Sequence, residues 1–310
     1  MIKLIYLFFV ILTSSLYPSI QQYFKKIEDK QNFQEGQIRN IDFIYLINLD
    51  QRPEKYGHCL NELSPYGIYP YRFSAVNGWE LSLEILNDVG VKYTTNMPKD
   101  ILANCYLPNE NFEVRHETMH VVGRNYFTRH MAPGTVGIVL SHLSILQDAY
   151  DSGYETIWVL EDDIEVIQDP HLLSSKIEEL DALIGCINWD VLFTDQDSKN
   201  QNGDYVRCTA SARRPNFTPR NPNRFELREK ISTSFSKIGA RYGGYSMILR
   251  RSGIKKILDF IKTHQIFLPY DMDYILPNDI KLFSLNDDIV STLKNALSDN
   301  GIAHYKEISR

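Results

Sequence analysis

Ile157-Trp158-Val159-Leu160-Glu161-Asp162-Asp163 sets four apolar residues directly against three carboxylates. The apolar run has the length and side-chain branching of a strand buried on both faces, as in a sheet covered by helices. The acids fall where such a strand leaves the core. Unpaired like charges this close repel by roughly 1 kcal/mol per pair even at water-like dielectric. A positive partner is therefore expected, and oxygen-only ligands at a strand end suit a hard divalent cation, Mn²⁺ or Mg²⁺. A solvated loop whose acids merely flank a strand is the competing reading.

Upstream, Phe43 to Leu49 is a second nearly all-apolar run. It ends in Asn48-Leu49-Asp50-Gln51-Arg52-Pro53, polar groups followed by a proline suited to start a helix. Tyr71 to Val76 reads as a strand stopped by Asn77-Gly78, and Leu81 to Val89 as a helix. Residues 91–133, with scattered aromatics and few periodic apolar positions, read as an irregular insertion. Leu140, Leu143, Leu146 and Ala149 recur at helical spacing up to Asp151-Ser152-Gly153. Leu172 to Ile184 is an amphipathic helix, and Trp189 to Phe193 a short strand running to Asp195. Residues 195–240, polar and proline-containing, read as a long surface excursion. Gly243-Gly244 precedes a strand, Tyr245 to Leu249, and Ser252 is expected to cap a helix carrying Ile254, Ile257, Leu258 and Ile261. Strands alternating with helices predict one α/β domain, residues 41–305, with a mostly parallel central sheet flanked by helices. Ligands in such sheets bind beyond the strands' carboxyl ends, where Asp50, Arg52 and Glu161 to Asp163 would gather.

The chain has 310 residues, 43% hydrophobic and 23% charged, an ordinary globular balance. A net charge of -6 argues against a general nucleic-acid binder, because neutralising phosphates needs a basic surface. Residues 1–20 read as a signal peptide or short membrane anchor, with Lys3 before the apolar run Leu4 to Leu12 and small residues at Thr13-Ser14-Ser15. A secretory or membrane-associated location, with membrane contact through the amino terminus, is expected; residues 21–40 form a connector. The four cysteines have no zinc-like spacing. Cys186 and Cys208 could pair in an oxidising compartment, while buried free thiols suit a core of this size. Asn216-Phe217-Thr218 is a formal glycosylation acceptor followed by Pro219.

Tyr45 to Pro53, Ala75-Val76-Asn77-Gly78, Gly134-Thr135-Val136-Gly137-Ile138-Val139-Leu140-Ser141-His142 and Leu160-Glu161-Asp162-Asp163 occur in the order seen in glycosyltransferase family 25. Gly243-Gly244-Tyr245-Ser246-Met247-Ile248-Leu249 and Pro269-Tyr270-Asp271-Met272-Asp273 resemble that family's carboxyl-terminal half. The resemblance spans roughly Phe43 to Asp299. It implies a GT-A-like (nucleotide-diphospho-sugar transferase) fold, a UDP-sugar donor, commonly UDP-galactose, and inversion at the sugar carbon. It also implies that Glu161, Asp162 and Asp163 fill the acidic metal motif. The family pattern usually has an acid where Thr135 stands and often Cys at Ile138, so altered specificity or weaker activity is implied as well.

Breaking a sugar–diphosphate bond leaves a multiply charged anion that a bridging divalent cation stabilises. Glu161 and Asp163 are the candidate metal ligands. Asn48, Asp50, Arg52, Asn77, Ser141, His142 and Asp162 are the candidate donor-binding residues. Arg52 could contact phosphate or the uracil side, or be a surface arginine of a first helical turn. His142 could orient the donor or be a hydrogen-bonded core histidine. An inverting transfer needs a base near the acceptor hydroxyl, and Asp271 and Asp273 are the leading catalytic candidates; a helix N-cap or surface turn is the competing reading. The predicted activity is transfer of galactose or glucose to a hydroxyl of a glycan or protein. A non-catalytic glycan-binding or interaction protein on the same fold is the alternative. A nucleotidyltransferase would need a glycine-rich loop after the first strand, and Asn48 to Pro53 has no glycine.

Overall fold

A computed structural model describes residues 19–27, 30, 37–108 and 114–294. The segment read as a signal or anchor lies outside these residues apart from Ser19 and Ile20. No helix among the described residues is long and apolar enough to cross a membrane.

Eight strands form the central sheet: β1 (Phe43–Asn48), β2 (Tyr71–Ser74), β3 (Thr156–Glu161), β4 (Val191–Phe193), β5 (Arg228–Lys230), β6 (Phe235–Ile238), β7 (Ser246–Arg250) and β8 (Leu282–Leu285). Their spatial order is β5-β6-β8-β4-β7-β3-β1-β2. Both central strands named first in the sequence are buried on each face, as their unbroken apolar runs require. Side chains alternate between two cores. Phe43, Tyr45, Ile47, Ile157 and Val159 join one, shared with helices α3 (Pro133–Asp151) and α5 (Arg251–His264). Ile44, Leu46, Trp158 and Leu160 join the other, shared with α1 (Pro53–Leu63) and α4 (Leu172–Ile184), while α2 (Leu83–Val89) adds Leu86 and Val89 to the first. The period of two sorts them.

The sheet is mixed rather than mostly parallel along its whole width. β1 pairs in parallel with β2 and β3, and β4 with β8. β7 runs antiparallel between β3 and β4, and β6 runs antiparallel to both β5 and β8. A run buried on both faces looks the same in either direction, so direction was not readable from its residues. The expected Ser252 cap is also corrected. Arg250 is the N-cap residue of α5, and Ser252 Oγ instead donates to Asp190 Oδ1 at 2.7 Å.

Residues 91–133 are not irregular. Val91–Lys92, Asn125–Thr128, Leu102–Tyr106 and Val114–Thr118 make a small antiparallel sheet in that spatial order. The scattered aromatics are its packing contacts, with Tyr93 edge-on to Tyr126 at 6.3 Å and Tyr106 to Phe127 at 5.8 Å. Strands of two to five residues are too short to show a period.

The stretch 195–240 likewise is more than a surface loop. It supplies β5 and β6, and its polar residues are buried in ion pairs. The Asp195 carboxylate accepts from Arg241 at 2.5 Å, Tyr245 Oη at 2.6 Å and Ser291 Oγ at 2.9 Å. Arg228 meets Asp197 at 2.6 Å. All four cysteines are free, so Cys186 and Cys208 form no bridge; Cys186 is exposed and the other three are buried. Asn216 spends its amide on the His264 carbonyl at 2.8 Å.

One contact sets α3 against the sheet. A Cβ on Gly78 would lie 1.8 Å from the Pro133 carbonyl oxygen, and one on Gly137 would lie 2.5 Å from both Gly78 N and Val76 O. Backbone meets backbone here, and only glycine permits it. Ser141 completes the seam, accepting from Val76 N at 2.8 Å and donating to Gly137 O at 2.8 Å. Gly137→Ala is therefore expected to destabilise the protein by about 2–3 kcal/mol, roughly 5–10 °C in Tm. Gly57→Ala, within α1 and with open space at its Cβ, should leave Tm unchanged or slightly raised. Thermal unfolding of the two variants beside the parent protein checks the contrast.

Candidate active site

β1 and β3 are parallel neighbours with Ile47 opposite Glu161, so Asn48 and Asp162 leave the sheet side by side. A cleft, partly open to solvent, lies beyond these strand ends. Glu161, Asp162, Asp163, Lys55, Asn48 and His142 supply its charged and polar wall. Ile47, Leu49, Val76, Ile138 and Trp79 supply apolar surface.

The three carboxylates are held differently. Glu161 Oε1 sits 2.9 Å from His142 Nε2. The His142 ring is stacked on Tyr270, centroids 3.9 Å apart and planes within 9°. Its Nδ1 is buried without a hydrogen-bond partner among the described residues, so Nε2 is the ring nitrogen that engages Glu161. Asp162 Oδ2 accepts from Asn48 Nδ2 at 2.8 Å, and Oδ1 lies 3.6 Å from Lys55 Nζ. Burial raises the Asp162 pKa, against the downward pull of Lys55 and Asn48. Asn48 is itself fixed, donating to Arg52 O at 2.9 Å and accepting from Arg72 Nε at 2.9 Å. Asp163 turns the chain into a short strand, Ile164–Val166, and its carbonyl accepts from Leu293 N at 2.9 Å and Thr292 Oγ1 at 3.2 Å.

Three carboxylates face one lysine in this wall, which leaves a surplus of negative charge. No group of three or more His, Cys, Asp or Glu converges to hold a metal among the described residues. Asp162 is engaged by Asn48 and Lys55, and Glu161 and Asp163 are the candidate oxygen ligands of the three. Two carboxylates completed by phosphate oxygens and water are a donor set that suits Mg²⁺ or Mn²⁺.

Of the residues singled out in the sequence, Asn48, Asn77, Ser141, His142, Glu161, Asp162 and Asp163 line the cleft. Ser141 does so from within the backbone seam described above. Asp50, Arg52 and the two catalytic candidates Asp271 and Asp273 are not among the lining residues. Asp50 pairs with Arg72 at 3.0 Å and accepts from Ser74 Oγ at 2.7 Å, which lowers its pKa. Arg52 reaches Glu54 at 3.3 Å. Two lining residues were missed. Lys55 sits in the first turn of α1, three residues past Arg52, and a lysine there carries no signal of its own. Trp79 follows Asn77-Gly78, and its 61% exposure marks it only once the cleft is known. Thr135 is absent from the lining, although Gly134 and Ile138 on either side of it are present. An acid at that position would lie in the first turn of an α3 that lacks a side-chain cap, favourable to the helix dipole.

The two aspartates read as base candidates lie on a short helix, α6 (Tyr270–Asp273), and the structure separates them. Asp273 is buried, paired with Arg214 at 3.1 Å and accepting from Leu268 N at 3.2 Å. Burial pushes its pKa up to about 6 even beside that arginine. Asp271 is half-buried and accepts from Gly243 N at 2.9 Å. Its pKa is raised, chiefly by burial and further by the charge of Glu161. Asp273→Ala should strand Arg214, itself buried, at a cost of about 3–5 kcal/mol, on the order of 10 °C in Tm. Asp271→Asn keeps an acceptor for Gly243 and should leave Tm near the parent value. Calorimetric unfolding distinguishes the two.

The sequence profile described as glycosyltransferase family 25 (LPS biosynthesis protein) matches residues 41–275. A glycosyltransferase 25 family member of Aedes aegypti is 29% identical over 153 residues, 49% of this chain and 21% of that protein. One from Drosophila melanogaster is 26% identical over 176 residues, 57% of this chain and 24% of its own length. A mouse relative named inactive glycosyltransferase 25 family member 3 is 25% identical over 160 residues, 52% of this chain and 23% of its own. The chain thus spans less than a quarter of the length of these curated relatives.

Proposed function

Since the chain belongs to glycosyltransferase family 25, we propose that it is a metal-dependent, inverting hexosyltransferase on a GT-A-like frame. It moves galactose or glucose from a UDP-sugar to a hydroxyl of a glycan or protein. Its amino-terminal segment directs it to the secretory pathway or a membrane. The observation that carries this reading is the cleft itself, where Glu161 and Asp163 stand beside Lys55 at the carboxyl ends of parallel β1 and β3.

Glu161 and Asp163 would hold Mn²⁺ or Mg²⁺, which when bound offsets the charge that gathers on the departing diphosphate. His142 keeps Glu161 aimed into the cleft through its hydrogen bond, and the Tyr270 ring keeps His142 in place. Lys55, held near Asp162, adds a fixed positive charge for the phosphates. Asp271 is the residue to take the acceptor's proton, since its neighbour Tyr270 stacks on the His142 that meets Glu161, whereas Asp273 is committed to Arg214. Water exclusion falls to the apolar part of the cleft wall.

A non-catalytic role is the second reading, favoured by the mouse relative named inactive and a rat relative named probable inactive. Thr135 had pointed the same way, but its place off the cleft lining weakens that argument.

UDP release from a panel of UDP-sugars, with and without Mn²⁺, tests the proposal. Turnover is expected with Mn²⁺ and lost on chelation. Asp163→Asn should abolish it, and Asp271→Asn should lower kcat by about 10²–10⁴-fold. Full activity in Asp163→Asn sinks the metal assignment. Absence of metal-dependent UDP binding by calorimetry favours the non-catalytic reading.

A further inference from the structure

We propose that Trp79 is the stacking platform for the donor's nucleobase, an inference that rests on the nucleotide-sugar reading above. Among the chain's three tryptophans, Trp158 and Trp189 are fully buried, whereas Trp79 is 61% exposed and still lines the cleft. A large aromatic ring exposed at the edge of the cleft offers a flat face on which another ring can stack.

The turn that carries it is rigid before any ligand arrives. Asn77 Oδ1 accepts from Trp79 N at 3.2 Å, and Asn77 Nδ2 donates to Glu80 at 2.7 Å. Gln51, just beyond β1, donates to the same Glu80 oxygen at 3.2 Å. Gly78 is wedged against the Pro133 carbonyl. The backbone that presents the indole is thus set before a flat ring settles on it.

Its position along the cleft selects the base over the sugar. The segment from Val76 to Gly78 runs along α3 from Ser141 towards Pro133. His142, beside Glu161, therefore marks the charged end of the cleft, and Gly78 with Trp79 marks the other. At about 1.5 Å per residue, Gly134 and His142 are about 12 Å apart along the helix. That separation is of the order between a nucleobase and its second phosphate. With the diphosphate drawn to Lys55 and the carboxylate end, the base reaches Trp79. The transferred sugar and the acceptor hydroxyl belong with the diphosphate, far from the indole.

Because the other two tryptophans are buried, iodide quenching of intrinsic fluorescence reports Trp79 directly. Uridine alone, and UDP with Mn²⁺, should shield the exposed emission from iodide, while galactose should not. Calorimetry on Trp79→Ala should give dissociation constants for uridine and UDP about ten-fold weaker, and Trp79→Phe, which keeps a ring face, should recover most of that loss. UDP binding with unchanged emission and a parental affinity in Trp79→Ala overturns this inference and leaves the donor reading standing. Shielding by galactose without nucleotide overturns it in favour of a sugar platform. Failure of the parent protein to bind uridine or UDP overturns the donor reading and this inference together.

Discussion

A strand covered on both faces can carry charge only where it emerges, and β3 is built under that restriction. Its residues Ile157 to Leu160 are sealed into two cores, so every polar task falls to Glu161 and the two residues after it. The same restriction acts on β1, whose polar residues begin at Asn48. Parallel pairing then brings both sets of side chains to one edge. The cleft is thus a product of how the sheet is covered, and its chemistry follows from which residues stand at two strand ends.

Those ends would be too loose to act without support. Each carboxylate has its own restraint: a stacked histidine for Glu161, an amide and an ammonium for Asp162, and a tethered backbone carbonyl for Asp163. The glycine seam brings α3 close enough for His142 to reach Glu161, so a contact with no chemistry of its own determines the spacing of the site.

The parts that the sequence disclosed best are those where one physical signal dominates. Unbroken apolar runs gave β1 and β3, and a clean amphipathic pattern gave α4 with its observed bounds. The acidic triplet and the Ser141-His142 pair led to the cleft wall. What stayed hidden depended on partners distant in the chain. The polar stretch 195–240 looked like a loop because a buried aspartate and a solvated one are the same letter; only Arg241, Tyr245 and Ser291 distinguish Asp195. Asp271 and Asp273 share a short helix and a residue type, and Arg214, some 60 positions earlier, is what parts them. Lys55 and Trp79 belong to the site through the positions of Asp162 and the glycine seam, which no local pattern encodes.

The small antiparallel sheet has its own bearing on the molecule's versatility. Thr128 N donates to Phe267 O at 2.8 Å, and Gly90 bridges to Ile266. The stretch so gripped leads directly into α6, and its Phe267 and Leu268 amides point at Asp273. Among the described residues, no strand is shared between this appendage and the edge formed by β1 and β3. Lengthening or reshaping the appendage would shift α6 and Asp271 while that edge stays put. On the proposed transferase reading, a lineage could thereby exchange one acceptor for another without rebuilding the strand ends that line the cleft.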